Sequence, residues 1–278
     1  MAKSYLDALS RGDAAAALAL GAIQPPNTDL LNDDVLRQQL DALPISDVEI
    51  LGETDEPGAS DDRTSVRVAA KLGGKRTEGA IRMVRSDGGW KLDSGFVEVS
   101  IVASVPTSTD KTLVAFGKPV GDSDKFYVFP GALEIASSSP FIDVNPVAPL
   151  SFDDLGGMEV LDAKFSMNEA GQKALKDSVL KYYQPCYGDG PKPAQCRANP
   201  PLGYDYDPAT TKFTAPLNVD GLKYTFEGTL TTAMVNGAIE DVPLTMQDEN
   251  GRPVPLTADL HIFMQVDIGQ DPPVILTK

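Results

Sequence analysis

The sequence predicts an α+β fold in three parts: N-terminal helices on a curved antiparallel sheet, a small β-sandwich-like middle unit, and a C-terminal helix on an antiparallel sheet. Three observations lead there. Apolar positions recur at helical spacing in the first forty or so residues and alternate with period two from Ile45 onward. The same order, one helix and then a meander, returns after Asn168. Finally, 22 Pro and 24 Gly in 278 residues demand many turns, which favours strands over a helical bundle. The expected domains are 1–97, 98–157 and 158–278.

The first part opens with Tyr5, Leu6 and Leu9, then Gly12-Asp13 and AAAALALG. That pattern is a short helix, a turn with Asp13 as N-cap, and a second helix closed by Gly21. Asn32 or Asp33 caps a third helix over Val35, Leu36 and Leu40, which must end before Pro44. From Ile45 the chain reads as strand (SDVEILG), acidic loop (residues 53–62), and two strands joined at Gly73-Gly74. A last turn at Asp87-Gly88 leads into GWKL.

Residues 98–150 carry no helical period. VEVSIVASV and TLVAFG alternate, FYVFPGALEI holds a Pro130-Gly131 pair suited to a type II turn, and PFIDVNPVAPL reads as one more strand and a linker.

In the third part Asn168 is a good N-cap, and Leu175, Ser178, Val179 and Tyr182 share one helical face. Pro185 stops that helix near Tyr183. After a turn at Asp220-Gly221, Leu222, Tyr224, Phe226 and Leu230 are expected on one face of a strand, and Asn236-Gly237 and Asn250-Gly251 are read as further turns. In LTADLHIFMQVDI the even positions Leu260, Ile262 and Met264 face inward, under the helix at 168–183, and the odd positions His261 and Phe263 outward.

The N-terminal pattern YLDALSRGDAAAALAL, LLNDDVLRQQLDALPISDVEILGE and SVRVAAKLGGKRTEGAIRMVRSDGGWKL resembles the nuclear-transport-factor-2-like, or cystatin-like, superfamily. It is similar in particular to versions in exported, membrane-anchored envelope proteins of high-GC Gram-positive bacteria. The resemblance covers residues 3 to about 97. It implies a cone of helices on a curved sheet around an apolar pocket, which some members use for ligands or catalysis. Tyr5, Leu9, Val68, Met83 and Trp90 are the pocket candidates. The middle part resembles small β-sandwich modules found beside such domains.

Chemistry is sparse. The only two cysteines, Cys186 and Cys196, bracket nine residues; that spacing fits neither a C-x-x-C redox motif nor, with one histidine in the chain, a zinc site. They read as a structural disulfide, which places the protein in an oxidising compartment. His261, the lone histidine, reads as a solvated strand residue. The acidic stretches at 53–62 and 248–251 lack calcium-loop spacing, and the glycine pairs sit in hairpins, so no metal or cofactor is expected. An enzyme in the cone would need an inward carboxylate as general base. Asp7 with Tyr5, beside Met83 or Trp90, is the only set the sequence offers, while the strands carry Arg67, Arg82 and Arg85.

The formal charge is −16, built from 11 basic and 16 acidic residues in 1–97, 3 and 8 in 98–157, and 10 and 16 in 158–278. Acidity spread in this way opposes docking to phosphate backbones, so nucleic acid is excluded as a partner. No apolar run spans a bilayer, and membrane contact is expected only through an N-terminal anchor outside this chain. The expectation is therefore a non-catalytic, extracellular or cell-surface module of an envelope protein that binds a protein partner or a small apolar ligand. The alternatives are a cone-pocket isomerase or hydrolase, and a structural spacer or adhesin stalk.

Overall fold

The computed structural model describes residues 1–54, 61–86, 88–101, 107–189, 192–197 and 205–276. Most of the acidic loop at 53–62 lies outside them, as do Asp87 of the Asp87-Gly88 turn and Pro191 of the cysteine loop. The fold is α+β, with four α-helices among the described residues and mostly antiparallel sheets. It gathers into two compact units: Met1–Ser138 with Val144–Lys164, and Ser139–Asp143 with Phe165–Lys278.

In the first unit, helices α1 (Ala2–Ser10), α2 (Ala14–Ala19) and α3 (Asp33–Ala42) accompany a five-stranded sheet. Its strands are β1 (Gly21–Ile23), β2 (Ile45–Thr54), β3 (Arg63–Leu72), β4 (Lys75–Ser86) and β5 (Gly89–Ser94), in the order β1-β5-β4-β3-β2. The caps follow the sequence: Asp13 accepts from the Ala16 N–H, and Asn32 from the N–H groups of Asp34 and Val35. Gly73 and Gly74 both take positive φ, 57° and 82°, the requirement of a two-residue hairpin turn between twisted strands. Gly21 does not close α2. Leu20 is the C-cap, and Gly21 already begins β1, parallel to β5, where a Cβ would come within 3.0 Å of the Gly95 nitrogen.

The same unit continues without a break into the middle of the chain. Strand β6 (Val97–Ile101) pairs antiparallel with β9 (Lys125–Val128) and parallel with β12 (Met158–Leu161). A second small sheet joins β7 (Leu113–Ala115), β8 (Lys118–Pro119) and β10 (Ile135–Ser137). Gly131, at φ 135°, bridges to Leu150. The buried Gln39 of α3 donates through Nε2 to the carbonyls of Phe129 and Ala132, at 2.9 and 2.8 Å.

The second unit places α4 (Glu169–Tyr183) over a sheet of β14 (Tyr206–Phe213), β16 (Thr232–Asp248), β17 (Pro253–Asp267) and β18 (Val274–Ile275), with β15 (Lys223–Thr225) beside β16. Two short strands, β11 (Ile142–Val144) and β13 (Phe165–Met167), form a pair of their own. Asn168 caps α4 through the Gly171 N–H and donates to Pro140 O and the Asp143 carboxylate. Leu175, Val179 and Tyr183 share one core with Val235, Ile262, Met264 and Val266. The outward set holds: His261 and Phe263 are exposed. The inward set grades along β17, with Ile262 and Met264 buried and Leu260 only half-buried.

One expected turn and one expected apolar face differ in the structure. Asn250-Gly251 closes the β16–β17 hairpin, but Asn236-Gly237 lies inside β16. Gly237 is there because a Cβ would meet Leu222 Cδ2 at 3.0 Å, so the glycine admits a close approach instead of a turn. The expected four-residue apolar face after Asp220 is shorter as well. Leu222 is buried and Tyr224 and Phe226 are half-buried, but Leu230, beyond the three-residue β15, is 57% exposed.

Candidate functional site

The five pocket candidates all lie on α1 or on β3, β4 and β5, and the structure divides them. The register pairs Val66 with Ile81, Thr64 with Met83 and Met83 with Leu92, which puts these residues in one patch of the sheet. At its deep end Tyr5, Leu9 and Val68 are fully buried, together with Leu6, Ile81 and Leu92. Tyr5 Oη donates to Gly95 O at 2.9 Å, and burial pushes its phenol well above the usual range. These side chains are packed as core.

Met83, itself buried, and the half-buried Trp90 border the other end of the patch. They line a groove of about 280 Å³ with Met1, Ala2, Lys3, Ile50, Glu53, Thr64 and Val66. Arg85 stacks its guanidinium carbon 5.9 Å from the Trp90 ring centroid. Asp7 is not in this lining. It faces outward and pairs with Lys3 at 3.0 Å, so the Asp7–Tyr5 pair is not assembled as acid and base. Among the described residues, Glu53 is the one carboxylate of the groove.

In the second unit Cys186 and Cys196 are bonded to each other, with both side chains fully buried. Each stands at the end of a short 3-10 turn, Gln184–Cys186 and Ala194–Cys196. Around them Tyr187 meets Phe213 edge to face at 5.7 Å and accepts from the Leu217 N–H at 3.0 Å. Burial, aided by the adjacent Tyr182, pushes the Tyr183 phenol up to about 12.

A groove that sequence reasoning missed runs beside this loop. It holds about 310 Å³ and is lined by Tyr182, Tyr183, Gln195 and Arg197 on one side and by every residue from Asp259 to Met264 on the other. The signal for it was present in the long uninterrupted alternation of β17, but which edge stays unpaired is a matter of topology. Among the described residues, no group of three or more His, Cys, Asp or Glu side chains is placed to hold a metal ion. Nor, among them, is any helix long and apolar enough to cross a membrane.

No family model and no curated protein matches the chain. Among solved structures, a protein described as an NTF2-like transpeptidase from Campylobacter jejuni matches 33% of this chain and 92% of its own, at 14% identity and a TM-score of 0.26.

Proposed function

We propose that this chain is a non-catalytic, extracytoplasmic module of a cell-envelope protein, and that its task is to bind another protein. The observation that carries this reading is the closed Cys186–Cys196 bridge, buried in the core of the second unit with no free cysteine among the described residues. Such bridges persist where the surroundings are oxidising. Packing supports the non-catalytic half: Tyr5, Leu9 and Val68 are buried as core, and the Asp7 carboxylate pairs with the exposed Lys3. The nuclear-transport-factor-2-like ancestry of residues 3–97 and its high-GC Gram-positive setting belong to the same reading. So does the exclusion of nucleic acid, which the −16 charge supports. Proteolysis of intact producing cells tests the location: the chain is expected to be cut by protease added outside, and protection until lysis would contradict it.

The groove at Met83 and Trp90 favours one second reading, a small apolar ligand bound there. Trp90 is the only tryptophan, so its fluorescence reports on that groove alone. A saturable emission shift with a fatty acid or a short alkyl glycoside, lost in Met83→Lys, is the result this second reading requires.

A further inference from the structure

We infer that the free edge of β17, from Asp259 to Phe263, is a docking site for an extended peptide segment carrying cationic side chains at alternate positions. This rests on the binding-module reading above and names its surface. The Leu276 N–H donates to Gln265 O at 2.8 Å, so Gln265 directs its backbone polar groups toward β18, away from β16. Those directions alternate along an antiparallel strand, so Phe263, His261 and Asp259 direct theirs the same way. Among the described residues the β18 segment pairs with Val266 and Asp267 and bonds Gln265, and no other strand continues along this edge.

The groove of about 310 Å³ lies on this edge. Among the described residues six consecutive β17 residues line it and no β16 residue does, as expected of a channel running along the edge. Tyr182, Tyr183, Gln195 and Arg197 form its other wall, so a guest strand would be held between them and the edge. Natural sheets blunt exposed edges with Lys, Pro or bulges. Between Leu256 and Met264 this edge has neither Lys nor Pro, and the bulge near Ile239/Val242 is on β16, behind it. Backbone pairing of this kind is the β-augmentation mode of peptide recognition.

Charge and exposure select the guest. On the outer face stand Asp259, whose carboxylate accepts from the Asp241 N–H, and the 68%-exposed Phe263. On the inner side stand Leu260, Ile262, the two tyrosines and Arg197, which disfavours cations there. A guest therefore sets Lys or Arg outward and apolar residues inward. A second copy of this chain is the poorer occupant, because each copy brings a charge of −16.

The test titrates acetyl-Thr-Lys-Val-Lys-Val-Lys-Thr-amide, and the same peptide with Glu for Lys, into the isotope-labelled full chain. The Lys peptide is expected to shift the amide signals of His261 and Phe263 saturably, and the Glu peptide to bind at least tenfold more weakly. Phe263→Pro removes an outward N–H that no ladder bond among the described residues uses, and should abolish the shifts. Because that variant could also disturb folding, Asp259→Lys serves beside it and should reverse the order of the two peptides. Shifts scattered over other surfaces, or none, overturn the site. Protection of the same amides by concentration-dependent dimers, without peptide, would assign the edge to a second copy and equally overturn it. Neither result touches the extracytoplasmic reading, which stands or falls on location and thiol state.

Discussion

Tyr5 shows how a pocket candidate becomes core. Its ring closes the deep end of the cone and its hydroxyl satisfies the Gly95 carbonyl, so Tyr5→Phe should cost about 1–3 kcal/mol by leaving that carbonyl unpaired in the interior. Urea unfolding checks this. Two of the buried phenols, Tyr5 and Tyr183, also predict an alkaline response. Tyr183 keeps its proton to about 12, above the ordinary phenol value, so the native state holds a proton that the unfolded chain has lost. Its contribution is complete below about 10, the unfolded value, and is lost as pH rises through about 12. Absorbance titration should show Tyr5 and Tyr183 ionising last, together with unfolding; a smooth transition of all tyrosines near 10 would contradict the burial. Along β17, Ile262→Ala should cost about 2–5 kcal/mol and Leu260→Ala less, because Leu260 is half-buried. His261→Ala, on the exposed face, should stay within about 0.5 kcal/mol.

At the scale of elements, what was legible depended on whether the cause was local. Asp13, Asn32 and Asn168 cap helices through donors two or three residues ahead, and a reader of the sequence sees both partners at once. Asn168→Ala should therefore cost about 1 kcal/mol, with added loss from its bonds to Pro140 and Asp143, which no sequence pattern announces. Gly237 is the opposite case. An Asn-Gly pair is a strong turn signal, but here the glycine answers to Leu222, fifteen residues away across the β15–β16 pair. Gly237→Ala, at φ 153° and 3.0 Å from that side chain, should destabilise the second unit without touching the hairpin at Gly251. Loss of stability with unchanged exchange of the Asp248 and Gly251 amides would bear this out. The depth at which Tyr5, Leu9 and Val68 lie was hidden for a related reason. Period-two alternation shows which side chains share a face, but how deep α1 sits on that face is fixed by packing.

For the whole molecule, the account rests on a chain that is acidic throughout and closed by one buried bridge. The bridge closes a short loop, and on the chain-entropy model it contributes about 2–3 kcal/mol; reduction under denaturing conditions should lower stability on refolding by about that much. The same spread of charge predicts no binding to DNA or RNA at physiological salt, which fluorescence anisotropy with a labelled duplex would check. The most direct measurement of the central claim is the thiol state of the protein as its own cells make it. Alkylation during denaturing lysis, followed by intact mass, counts the free thiols before any can reoxidise. The account predicts none, with both Cys186 and Cys196 labelled only after reduction; two free thiols in the untreated protein would contradict it.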